Sequence, residues 1–377
     1  MKNKLWFQLI ALILVFALTF SGVVYALQVP EVMEVMNINT VESVPAGTID
    51  GIVLGPSTVT AAWVSAVGFE NYGATTYHMG TAMQPFAAIY PYVDYIKQNH
   101  DLKYIVFDVH SLRRENLYGS VSDQHLVGAC TAMCSVEAKF RTFDSLLTYA
   151  DRIYEYYGEP EEGKVNKLNP SVYTRLLDIH GGWIDGFSAA DRTVGLMDDY
   201  LGAHKANDAF NIVDMTPRME NLDFEGYNEL DDFQKSELER VFSFCEEENL
   251  KVVFISIPSL RNLEIQQELT TILKYCSDRG YDTIDFGSRE MFDEAGIDPT
   301  KDFYDDGHMN LSGGEKMTDY VCRFLAENGY STVDHRGEEG YEMWARASEN
   351  YFAMSKEGWQ RADEKRKEEA GSSNALT

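Results

Sequence analysis

The chain has 377 residues, 45% of them hydrophobic, and a formal net charge of -28. That apolar content excludes a disordered chain and leaves room for one large domain or two small ones. The excess of acid argues against nucleic acid as a partner, because a sequence-independent grip on phosphates comes from Lys and Arg displacing counterions.

In chain order, Lys2 and Lys4 precede an apolar run over residues 5–27, broken only by Gln8, Thr19, Ser21 and Gly22. The run reaches the ~20 residues that cross a bilayer as a helix. Lysines before it, and Glu31 and Glu34 after it, predict a single-pass membrane protein with a cytoplasmic N-terminus and an extracytoplasmic body. Cleavage of a signal peptide after Ala26 is the alternative and gives a secreted protein; both routes end in export. Residues 1–27 are thus an anchor or signal, and residues 28–47 an acidic linker.

Residues 48–54 (TIDGIVL) form the first expected strand, ended by Gly55-Pro56, with a helix opening near Ser57. Further strands are expected over residues 74–80, 104–110, 251–258 and 281–286. The continuous β-branched and aromatic run KVVFISIP suits a strand buried on both faces. Helical patterns over residues 86–99, 231–248, 263–278 and 314–328 alternate with these strands. Such alternation predicts an α/β domain over residues 48–336, with a parallel sheet covered by helices on both faces.

An insertion over about residues 111–217 follows the third strand, where it would lie over a site at the carboxyl edge of the sheet. Residues 337–377 read as a C-terminal helix and tail. Its Tyr341, Trp344, Tyr351, Phe352 and Trp359 recur at near-helical spacing, to pack on the core or to dock a partner.

Of the five cysteines, Cys130 and Cys134 are close enough for a local disulfide in an oxidising compartment, while Cys245, Cys276 and Cys322 read as small core residues. No paired zinc spacing is present. The acidic run at 302–310 (DFYDDGHMN) fails as an EF-hand, because Tyr304 would occupy its third position and Gly313 would replace the bidentate Glu. Neither a metal nor a cofactor is expected.

The same residues fit nucleophilic chemistry. A serine hydroxyl is a weak nucleophile until an imidazole takes its proton and a carboxylate orients that imidazole. Ser57 stands on a strand–turn–helix junction, where it serves as a nucleophile or as a helix N-cap. Asp305 and His308 lie three apart on one irregular loop, a spacing that lets the carboxylate reach the ring.

Gly55-Pro56-Ser57-Thr58 after a first strand, with Asp305-x-x-His308-Met309-Asn310 before a late helix, resembles the first and last sequence blocks of the SGNH (GDSL-like) hydrolase superfamily. With the N-terminal anchor, VVFISIPS and DDGHMNLSGG, the chain is similar to its DltD-like branch, whose members act in acylation of cell-surface polysaccharides. The resemblance implies a flavodoxin-like three-layer α/β/α fold and a serine esterase or O-acyltransferase.

Ser57 would be the nucleophile, His308 the general base and then acid, and Asp305 the orienting carboxylate. The Ser57 and Gly80 backbone N–H groups would form the oxyanion hole. The implied substrate is a cell-envelope polysaccharide or teichoic-acid-like polymer, and the implied partner a membrane-bound O-acyltransferase. One departure stands out: the asparagine of the family's third block is missing, since the third strand runs into FDVHSLRREN. Gln84 and His110 are the nearest candidates for substrate contact. The alternative function is a catalytically degenerate scaffold or glycan-binding protein.

Overall fold

The computed structural model describes residues 2–26, 41, 44–121, 125–126, 129–130, 136–158, 210–224 and 228–374. Cys134 and the middle of the insertion, residues 159–209, lie outside these.

Five strands build one parallel sheet: β1 (Gly51–Leu54), β2 (Thr76–His78), β3 (Tyr104–Asp108), β4 (Lys251–Ser256) and β5 (Asp282–Asp285). Their order is β2-β1-β3-β4-β5 and every pairing is parallel. This is the 2-1-3-4-5 order of doubly wound sheets, in which ligands sit beyond the carboxyl ends of the strands where the order reverses, here between β1 and β3.

Alternation along each strand divides the core in two. Ile52, Leu54, Ile105, Phe107, Val252 and Phe254 point to one face, and Val53, Val106, Val253 and Ile255 to the other. The first face is covered by α4 (Ile89–Lys97), α6 (Val136–Tyr157), α7 (Asp232–Glu247) and α8 (Leu263–Asp278) through Val93, Leu146, Val241 and Leu269. The second is covered by α2 (Ser57–Ala62), α9 (Arg289–Glu294) and α10 (Leu311–Glu327) through Val59, Phe292 and Met317. Two shorter helices complete the body, α3 (Ser65–Tyr72) and α5 (Arg114–Ser120).

Helix starts follow local chemistry. Asp231 and Gln234 form a capping box on α7, Asn262 caps α8, and Asn310 caps α10. The C-terminal helix α11 (Glu342–Asn374) lies on α3, with Trp344 and Tyr351 wholly buried. Trp344 Nε1 donates to Thr48 Oγ1 at 3.1 Å and Tyr351 donates to Glu315 at 2.9 Å, so its aromatic spacing serves the core. Cys245, Cys276 and Cys322 are buried as small core residues, and burial pushes the Cys245 thiol up to about 12.

At the N-terminus, Lys2–Ala26 form one helix, α1, whose Trp6, Leu12, Phe16 and Leu18 are exposed. Among the described residues no helix is long and apolar enough to cross a membrane. Part of the expected 5–27 span, including the side chains of Leu5, Ala17 and residues 20–26, falls outside that description. Val41 and Val44 are buried in the first core, so the end of the expected linker is packed against the domain.

Candidate active site

The turn after β1 is shaped by close packing. A Cβ on Gly55 would fall 2.5 Å from Val59 Cγ2 and 2.6 Å from Asp108 Cβ, so only glycine fits there. Pro56 is the N-cap of α2 and makes no side-chain capping bond. Ser57 is therefore the first helical residue, and its hydroxyl is not used as a cap. Ser57 Oγ instead lies 2.8 Å from His308 Nε2, across 251 positions of sequence.

The partner loop is pinned at both ends by apolar side chains. Phe303 and Met309, both buried in the second core, form an antiparallel bridge, and residues 304–308 bulge between them. His308 Nδ1 is 3.0 Å from each Asp305 carboxylate oxygen, and the Tyr304 ring stacks on the imidazole at 5.4 Å. These partners assign the tautomer: Nδ1–H donates to Asp305, leaving the Nε2 lone pair for the Ser57 proton. Burial raises the Asp305 pKa, but the hydrogen bond and charge of His308 and the Gly307 N–H outweigh it, so the carboxyl titrates below its ordinary 3.8. At neutral pH Asp305 is ionised, as an orienting carboxylate must be.

The other expected site residues are placed differently. Gln84 is buried and used as a strap: Oε1 accepts the Gly55 N–H at 2.8 Å and Nε2 donates to Met79 O at 2.7 Å. It ties the turns after β1 and β2 together and is not presented as a substrate contact. His110 is also buried, with Nδ1 2.7 Å from Asp108 Oδ1 and Nε2 3.2 Å from Ser259 Oγ, so both ring nitrogens are engaged within the fold. Both were expected at the edge because they follow strands; long-range contacts draw them inward.

Gly80 does reach the turn, packed against Val59 and the Gly55 carbonyl, but its N–H is directed at His78 Nδ1 at 3.4 Å. The Ser57 N–H, at the first position of α2, is one of the groups without an intrahelical acceptor.

Two supporting residues were not singled out by sequence reasoning. Thr58, beside Ser57, donates a short hydrogen bond to Asp108 Oδ2, which fastens the α2 start to the end of β3. Tyr304 stacks on the ring it precedes; its position inside DFYDDGHMN was the available signal. Among the described residues, no group of three or more His, Cys, Asp or Glu side chains is arranged to hold a metal ion.

Compared with known proteins, the chain matches no family model, no curated protein and no solved structure.

Proposed function

We propose that the chain is a serine-dependent acyl-ester enzyme, an esterase or O-acyltransferase of SGNH type working through a Ser57 ester. The observation that carries this reading is the continuous array from Ser57 Oγ to His308 Nε2 at 2.8 Å and from His308 Nδ1 to Asp305 at 3.0 Å. Ser57 Oγ attacks the ester carbonyl while Nε2 takes its proton, and Asp305 stabilises the resulting imidazolium. Collapse of the tetrahedral intermediate expels the alcohol, which receives the Nε2 proton and leaves an acyl-Ser57 ester. Water or a sugar hydroxyl then gives its proton to Nε2 and attacks the acyl carbon, and Ser57 Oγ leaves by taking that proton back from Nε2.

The motif resemblance extends the reading to place and substrate. The enzyme works outside the cytoplasm, held at the membrane by its N-terminal helix, on a cell-envelope polysaccharide or teichoic-acid-like polymer. A membrane-bound O-acyltransferase supplies the acyl group, and a shared membrane raises their effective concentration.

A second reading, a degenerate scaffold or glycan-binding protein, is favoured by one observation: the Gly80 N–H turns toward His78, and each lost oxyanion donor removes ~2.7 to 4 kcal/mol of transition-state stabilisation. One experiment separates the two. The full chain and its Ser57→Ala variant are treated with a fluorophosphonate probe and assayed on a short-chain p-nitrophenyl ester. Labelling and turnover in the parent alone support the enzyme. An unlabelled, folded parent supports the scaffold.

A further inference from the structure

The loop after β4 runs across the carboxyl edge toward the catalytic loop. Leu260 N donates to Asp306 O at 2.9 Å, and the Asn221 amide donates to Arg261 O at 2.6 Å, so the backbone on either side of Arg261 is held. Its guanidinium abuts Gly307 with one edge: a Cβ there would fall 2.5 Å from Nη2 and 2.8 Å from Nε. Gly307 directly precedes His308, and its N–H holds Asp305 at 2.7 Å. A fixed positive charge is thus built against the backbone of the catalytic loop.

Among the described residues that charge has no counter-ion. Asp305 is engaged by His308 and Asp306 by Arg218 at 3.8 Å, and among the described residues the Arg261 side chain makes no ion pair or hydrogen bond. Its Nε is buried without an acceptor. In a chain with a net charge of -28, where carboxylates are plentiful, an arginine left unpaired beside a catalytic loop is a selected vacancy for an outside anion.

A second guanidinium is near enough for the Arg261 charge to act on it. Arg113 is buried, 2.9 Å from Glu115 and 3.7 Å from Glu268, yet its Nε and Nη1 also lack acceptors. Burial first, and then the nearby Arg261 charge, lower its pKa against the pull of Glu268.

We propose that Arg261, with Arg113 near it, is an oxyanion subsite of the Ser57 centre, so that the substrate is an ester carrying a phosphate or carboxylate group close to the acyl oxygen. This rests on the acyl-ester reading above. With Nε buried, the guanidinium offers its two Nη groups side by side in one plane, which matches either oxyanion in bidentate fashion and which a lysine does not reproduce.

The test compares three acetyl esters on one three-carbon skeleton with the full chain: acetyl glycerol, acetyl glycerol phosphate and acetyl glycerate. The ratio of kcat/KM for each anionic ester to the neutral one is read, because a general loss of fold or of catalytic geometry cancels in it. Arg261→Gln lowers that ratio by about ten-fold or more for at least one anion, and Arg261→Lys restores it in part. Whichever anion loses more names the source of the charge. An unchanged ratio for both overturns the proposal.

A binding arm keeps this separate from turnover: calorimetry of glycerol phosphate and of glycerate on Ser57→Ala, with and without Arg261→Gln. Binding that Arg261→Gln removes upholds the subsite even where no ester is cleaved, in which event it is the acyl-ester reading that fails. Binding of neither anion, or binding indifferent to Arg261, overturns the subsite.

Discussion

Two serine–histidine–aspartate sets stand at the carboxyl edge of the same sheet, and they differ in little except water. In Ser57–His308–Asp305 the histidine side chain is 18% exposed and the aspartate 46%. In Ser259–His110–Asp108 the corresponding values are 1% and 0%. The distances are alike, at 2.8 and 3.0 Å in the first set and 3.2 and 2.7 Å in the second. Geometry alone would not separate them; access does. The buried set also has more fixed neighbours, since Asp108 accepts from Thr58 as well as from His110, and so behaves as a tie between strand ends.

The sharpest way to break this comparison is to delete each serine hydroxyl in turn. Ser57→Ala is expected to lower ester turnover by at least ~10³-fold with unchanged circular dichroism, because the nucleophile is lost and only binding and oxyanion contacts remain. Ser259→Ala is expected to keep turnover within about three-fold and to cost roughly 1 kcal/mol of stability for one buried hydrogen bond. Equal losses of activity in the two variants would put the buried set into the chemistry and dissolve the distinction.

The aspartates should divide the other way. Asp108→Ala leaves the Thr58 hydroxyl and the His110 ring without their buried acceptor, and is expected to destabilise the fold by about 3 kcal/mol in urea melts. Asp305→Ala, at the half-exposed pair, is expected to cost about 1 kcal/mol or less while stopping turnover. A larger stability loss at Asp305 than at Asp108 would mean that the exposed loop, not the buried tie, holds the edge together.

Much of this edge was legible in the sequence, for a local reason. Asp305 and His308 sit on one turn, and the hydrophobic run before Gly55 announces a strand, so each half of the working set could be found by itself. Packing of α10 on α2, with Gly314 against Ala62, then joined the halves. What failed was whatever depended on distant partners. Gln84 and His110 follow strands like genuine site residues, and only Met79, Gly55 and Ser259 show that they are structural. His335, which lies outside every expected strand and helix, is buried between Asp50 and Glu338 at 2.9 and 2.6 Å.

The start of α10 was misplaced for a related reason. Gly313-Gly314 suggested a loop before a helix at residue 314, yet the helix begins at Leu311 under the Asn310 cap. Those glycines admit neighbours instead of breaking the helix: a Cβ on Gly314 would meet Ala62 O at 2.7 Å, and one on Gly313 would meet Asp302 O at 2.3 Å.

The smallest expected effect tests the electrostatics of the exposed pair. Asp305 titrates below its ordinary 3.8 in the folded chain, because the hydrogen bond and charge of His308 and the Gly307 N–H outweigh its burial. A depressed folded value means that the unfolded chain binds the proton more tightly, so the contribution is present above the unfolded value and is lost as pH falls through the folded one. The stability gap between the parent and Asp305→Asn should therefore be open at about pH 5 and close below 3.8. Solvent screening at a side chain 46% exposed keeps the gap small, so the measurement is a difference between melts in matched buffers. A gap that stays open in acid would show that Asp305 holds its loop through the Gly307 hydrogen bond and packing. Its charge would then serve His308 alone.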